Sequence, residues 1–126
     1  MLRVVNASRG TVLADRAGWA RSFAARLKGL LGRSSLAPGE GLLIEPCDGI
    51  HMFFMRFAID AVFMDAERRV VRLFPRLPPW SATPRVRGAR SVLELPAGAG
   101  EATGTLPGDL LRVETVEAQT PGQVPA

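Results

Sequence analysis

The sequence predicts an α+β fold, a small antiparallel-rich β-barrel or strongly curved sheet with one N-terminal covering helix. Three observations predict it. One stretch of helical period, about residues 18–31, is followed by a series of short strand-like runs separated by turn residues. The run from 50 to 64 is apolar on both alternating faces, as in strands covered on two sides. Apolar residues make up 47% of the 126-residue chain and charged ones 22%, which allows a single buried core without staples. An open sheet with the helix on one face is the second arrangement these features allow.

Residues 2–5 and 11–14 read as two short strands around a Ser8-Arg9-Gly10 turn. Trp19, Phe23, Leu27, Leu30 and Leu31 then recur at helical spacing, and Gly32 is a natural stop because glycine tolerates a left-handed C-terminal conformation. From residue 41 the strand-like runs are 41–44, 50–56, 59–65, 70–74, 92–95 and 110–116. Turn signals stand at Pro46 to Gly49, Asp65 to Arg68, Pro96 to Gly100, and Pro107-Gly108-Asp109. Residues 75–88 hold four prolines around Trp80 and read as a long, stiff, basic loop. The chain reads as one domain over 1–116 followed by a flexible tail over 117–126.

The charge is unevenly placed. Residues 1–67 carry 8 basic and 7 acidic groups, 68–93 carry seven arginines and no acid, and 94–126 carry one basic and five acidic groups. The single cysteine excludes an internal disulfide. The first residues hold no apolar run of signal-peptide length, and no stretch reaches the roughly 20 residues of a membrane helix. The expectation is a soluble, cytoplasmic protein without a membrane partner.

Three groups of residues can carry chemistry. Cys47 and His51 are the only Cys and His. A thiolate and its base is one reading, and a small buried Cys beside a hydrogen-bonded His is the other. In a straight strand the two stand about 13 Å apart, and the Asp48-Gly49 bend would have to bring them together. No metal or other cofactor is expected, because a zinc site would need two carboxylates from elsewhere.

The second group is polar residues in apolar strands. Asp60 shares a face with Val62 and Met64, Glu94 with Val92, and His51 with Phe53, Met55 and Phe57, while Arg26 falls in the helix's apolar stripe. Buried charges must be paired or neutralised. Arg26 is therefore expected to pair with Asp60 or Glu94 across the helix–sheet contact, as a structural ion pair or as part of a ligand pocket. Arg26, His51, Arg56, Asp60 and Glu94 are the candidate ligand-binding residues. The third group is the arginine-rich stretch with Trp80. Arg76, Trp80, Arg85 and Arg87 could bind an anionic partner through phosphates and stacking, or form a solvated basic face. The chain contains no phosphate-loop, dinucleotide or Gly-x-Ser-x-Gly signature.

Four segments resemble a known family: Arg26-Leu27-Lys28-Gly29-Leu30-Leu31-Gly32-Arg33, the run from Cys47 to Asp65, Ser91-Val92-Leu93-Glu94-Leu95-Pro96-Ala97-Gly98, and Gly108-Asp109. Their order and spacing are similar to domain-of-unknown-function family 192 over about 11–113. The resemblance implies a compact α+β domain with a curved or barrel-like sheet, and it implies no particular activity. Arg26, His51, Met55, Asp60, Glu94 and Asp109 match the family's polar motif positions. The expected function is a small non-enzymatic domain that binds a small ligand or a protein partner. An enzyme using Cys47 or His51, and a nucleic-acid or polyanion binder using Arg68 to Arg90, are the alternatives.

Overall fold

The computed structural model describes residues 1–116, so the tail read at 117–126 lies outside the described residues. The chain is mostly sheet. Strands β1 (Leu2–Asn6) and β2 (Thr11–Ala20) form an antiparallel hairpin, and helix α1 (Phe23–Lys28) leads to β3 (Glu40–Ile44), which runs parallel to β2. Strands β4 (Ile59–Met64) and β5 (Val70–Leu77) form a second hairpin. Strand β6 (Ser91–Pro96) returns between β4 and β3, and after the single-turn helix α2 (Ala99–Ala102) strand β7 (Leu111–Thr115) pairs with β1.

The seven strands lie in the order β5-β4-β6-β3-β2-β1-β7. The sheet curls until its two edges meet at one end. There Arg69 bridges Leu110, Val70 N–H donates to Asp109 O at 2.8 Å, and Leu111 N–H donates to Arg68 O at 2.9 Å. The result is a curled half-barrel with two short helices.

Two apolar clusters lie on its two faces. One draws on all seven strands, including Leu2, Val4, Leu43, Val62, Leu93 and Leu111, and fills the inside of the curl. The other joins Ile44, Ile59, Ala61, Phe63 and Val92 to Leu30, Met52, Met55, Val86 and Ala89 from the irregular segments packed outside. All six residues of β4 are buried, because this strand is covered on both faces.

The helical reading needs correction. The expected helix at 18–31 is six residues long, and Trp19 and Ala20 belong to β2, paired with Leu43 and Ile44. Ser22 starts the helix, its Oγ accepting Ala25 N–H at 3.1 Å, and Gly29, with φ +49°, ends it three residues before the expected stop. No residue within α1 is buried, and Phe23 and Leu27 are 75% and 66% exposed. The helix therefore does not cover the sheet. Irregular chain does so instead, with Leu30 inserting just beyond the helix end.

Residues 50–56, read as a strand, are turns and bends with one bridge from His51 to Ala82. Phe54 sits at φ +65°, outside strand geometry. Strand β5 runs on through Pro75 to Leu77, where the loop was expected to begin, and α2 replaces the turn expected after Pro96. Among the described residues no helix is long and apolar enough to cross a membrane.

Candidate functional site

The site lies outside the sheet, where the α1 end, the β3 exit and the 49–55 segment meet over β6. Alternation along β6 places Glu94 on the same face as Val92, toward this outer layer. Gly29 turns the chain so that Leu30 and Leu31 return over Ile44. After β3, the Pro46-Cys47-Asp48-Gly49 turn carries the chain back across the cluster. Together they enclose a pocket of about 170 Å³ lined by Arg26, Leu30, Ile44, Cys47, His51, Met52, Met55 and Glu94 among others.

The polar groups of this pocket are unusual. Glu94 is 5% exposed, and its carboxyl group has no hydrogen-bond partner among the described residues. Burial disfavours its charged form and pushes its pKa up to about 7. Arg26 donates from Nη1 to Pro46 O at 3.2 Å, but its Nε–H is buried and unpartnered. The expected ion pair is absent: Arg26 forms no salt bridge with Glu94 or Asp60, although Arg26 and Glu94 line the same pocket. Met52 and Met55 supply part of the apolar wall.

Cys47 and His51 also reach this pocket without bonding each other. The thiol donates to Gly49 O at 3.2 Å, and burial raises its pKa, holding it as the weakly nucleophilic thiol. His51 stacks on Phe53 with ring centroids 4.7 Å apart. Phe53 approaches Trp80 at 6.2 Å, and Trp80 packs on Phe54 at 4.7 Å. Phe54 and Trp80 are 72% and 61% exposed, and both hold φ +65°, a conformation non-glycine residues adopt at a cost of about 1–3 kcal/mol. An aromatic row therefore leads from the pocket to the surface.

The remaining candidates lie elsewhere. Asp60 faces the inside of the curl, opposite Glu94. There it accepts Arg76 N–H at 2.9 Å, Gly98 N–H at 3.0 Å and Gly100 N–H at 2.8 Å, so three backbone donors satisfy it without a cation. Arg56 is exposed, with no ion-pair partner among the described residues, and does not line the pocket.

The basic stretch is largely engaged. Arg76 meets Glu101 at 3.5 Å, Arg85 meets Asp48 at 2.7 Å, and Arg68 meets Glu45 at 2.8 Å. Arg87 is exposed without an ion-pair partner among the described residues. No contact joins Arg76, Trp80, Arg85 and Arg87 into one cluster. Among the described residues no group of three His, Cys, Asp or Glu side chains comes together to hold a metal.

Sequence patterning missed Met52, Met55 and the Phe53–Phe54 pair as site residues. Their apolar run was assigned to a strand, although the Gly49 bend on one side and Arg56 on the other mark a segment too interrupted for a buried strand.

A family model for DUF192, described as an uncharacterized ACR, matches residues 4–113. A UPF0127 protein of Thermococcus sibiricus is 32% identical over 125 residues, covering 93% of this chain and 78% of that one. Another, of Thermococcus gammatolerans, is 29% identical, covering 90% and 76%. A crystal structure of a protein of unknown function from Novosphingobium aromaticivorans superposes with a TM-score of 0.76 at 26% identity, covering 88% of this chain and 82% of that one. A Sinorhizobium meliloti protein, described only as a candidate transcription regulator, gives the same TM-score and identity over 89% and 91%.

Proposed function

The chain belongs to domain-of-unknown-function family 192, and on that premise we propose that it is a binding domain whose small ligand sits between Arg26 and Glu94. The observation that carries this reading is a pocket lined by two polar residues that do not pair with each other, Arg26 with its buried, unpartnered Nε–H and the largely buried Glu94. A buried donor without a partner costs about 1–3 kcal/mol, and natural folds retain few of them. Here Arg26 and Glu94 both line one space of about 170 Å³. A ligand seated there would meet a guanidinium-bearing and a carboxyl-bearing residue that form no ion pair with each other.

Binding is favoured over catalysis by the state of Cys47. Its thiol is held protonated by burial and is turned to Gly49 O, so it lacks a base. The test is a thermal-shift screen over small neutral, acidic and basic compounds. A true ligand raises the melting temperature of the natural protein, and Arg26→Met or Glu94→Leu abolishes the rise. Stabilisation that survives both substitutions would refute the assignment.

A polyanion-binding face is the second reading. The exposed Phe54–Trp80 pair and the exposed Arg87 and Arg90 favour it, and one solved relative is described as a candidate transcription regulator. The carboxylates already held by Arg68, Arg76 and Arg85 weigh against it. Oligonucleotide binding that falls steeply with salt and weakens on Arg87→Ala would support it.

A further inference from the structure

We infer that the face carrying Phe23, Leu27, Phe53, Phe54 and Trp80 docks on an anionic lipid surface. The inference goes beyond the pocket and stands whether or not a small ligand fills it.

Two segments build this face. On α1, Phe23 and Leu27 lie one turn apart, so they share a side of the helix, and both stand mostly in solvent. The second segment is the chain at 50–55, tied to the loop at 78–83. Met52 N–H donates to Ser81 O at 2.7 Å, Trp80 N–H to Met52 O at 2.8 Å, and Thr83 N–H to Ile50 O at 2.9 Å. These bonds hold Phe53, Phe54 and Trp80 together as an exposed aromatic tip. Phe54 and Trp80 keep that placement at φ +65°, and strain retained at exposed rings points to a use at the surface. The two segments are neighbours, because Leu27 and Lys28 border the same pocket as His51, Met52 and Met55. Five of the ten exposed large apolar side chains among the described residues fall in them, a grouping that marks an interaction surface.

Charge chooses the occupant. Arg21, Lys28 and Arg56 stand within two residues of these side chains in the chain. All three are exposed, and none forms an ion pair among the described residues. No acidic residue occurs at 16–39 or at 49–59. A second copy of the chain would set these cations against the same cations. An anionic lipid layer offers negative headgroups to Arg and Lys, and an apolar boundary beneath them to Phe, Leu and Trp. The apolar side chains stand out into solvent and do not line a groove, which suits insertion into a layer that deforms around them. That no helix among the described residues is long and apolar enough to cross a membrane bears on spanning, whereas this face would lie on the surface.

The test is co-sedimentation of the full chain with vesicles of phosphatidylcholine alone and of phosphatidylcholine mixed with phosphatidylglycerol. Each cation near an anionic surface contributes roughly fivefold, so binding to the mixed vesicles should be tighter by about tenfold or more. Phe23→Ser with Leu27→Ser, and separately Phe54→Ser with Trp80→Ser, should each weaken that binding by about fivefold or more. Leu106→Ser, at an exposed apolar residue in the loop before β7, should leave it unchanged. If a double Ser variant fails to fold, Lys28→Gln with Arg56→Gln reads the same face and should weaken anionic binding by about tenfold. Equal binding to both kinds of vesicle, anionic binding that survives both apolar double variants, or binding to neither would overturn the inference. Binding of poly-glutamate in place of the vesicles would likewise overturn it and reassign the face to an acidic protein partner.

Discussion

Asp60 and Glu94 stand on neighbouring strands, one residue out of direct register, and face opposite sides of the same sheet. Asp60 pairs across from Leu95 and Glu94 across from Ala61, so the alternation of side chains separates them. Two acidic residues buried in adjacent strands thus meet different chemistry. Asp60 is held by three backbone N–H groups, whereas Glu94 has none. The first secures the fold and the second faces the pocket.

Asp60→Asn is expected to destabilise the protein without changing the pocket. The amide places an NH₂ against at least one of the backbone donors, leaving it unsatisfied at a cost of about 2 kcal/mol. The melting temperature should fall by roughly 10 °C, measured by calorimetry. Gly100→Ala tests the same contact more gently. An added Cβ would lie 2.9 Å from Leu73 Cδ2 and 3.1 Å from Asp60 Oδ2, loosening the amide that Asp60 holds.

Glu94 gives stability a slope at mildly acidic pH. Its pKa rises from 4.5 to about 7 on folding. The native state therefore keeps a proton that the unfolded chain releases. Its contribution is fully present below about pH 4.5 and is lost as the pH rises to about 7, a loss on the order of 3 kcal/mol. Glu94→Gln should remove this component, so the variant gains on the natural protein as the pH rises through that window. Melting temperatures of both proteins from pH 4 to 8 measure it. Parallel curves would contradict the burial argument.

Asp109 acts in the opposite sense. Its Oδ2 accepts from Arg9, from Asn6 and from Leu106 N–H, and these bonds hold its pKa at about 2, below the usual 3.8. A depressed carboxylate stabilises above its unfolded pKa and loses that contribution as the pH falls. The melting temperature should drop by several degrees between pH 4 and 2, and Asp109→Ala should flatten that drop while lowering stability at neutral pH.

The exposed aromatics should matter little to folding. Phe54→Gly relieves a positive φ of 65° and loses one tilted aromatic contact with Trp80, two effects of about 1 kcal/mol each that oppose one another. Urea unfolding should show a change within about 1 kcal/mol. A loss of 3–5 kcal/mol, typical of a buried aromatic, would mean that the row is core packing and not a surface available to a ligand.

Much of the sheet was legible because its strands carry their own pattern. The runs 59–65, 92–95 and 110–116 fall on β4, β6 and β7 to within a residue or so. The opposed faces of Asp60 and Glu94, which were expected in one site, follow from the β4–β6 register, a long-range pairing that alternation within each strand does not contain. The helix was overextended because Trp19, four residues before Phe23, fits a helical period equally well as the end of β2. Its pairing with Leu43 is a long-range contact that local pattern does not contain. The 50–56 segment misled for the opposite reason: its apolar side chains are those of irregular chain packed on a sheet, which periodicity does not separate from a strand. Arg26, His51 and Glu94 were identified as candidates and reach one pocket. The gap between Arg26 and Glu94 depends on how the Gly29 and Gly49 turns fold back, and so could be seen only in three dimensions.

The most direct measurement is an amide chemical-shift map of the ¹⁵N-labelled protein, titrated with the best hit from the thermal-shift screen. If the ligand sits between Arg26 and Glu94, the saturating shifts will concentrate at Gly29, Leu30, Gly49, Met52 and Glu94. The amides of Gly98 and Gly100, bonded to Asp60 on the other face, will stay in place. Shifts that saturate at Arg85 to Arg90, or at the Asp60 face, with the pocket amides unmoved, would contradict the account.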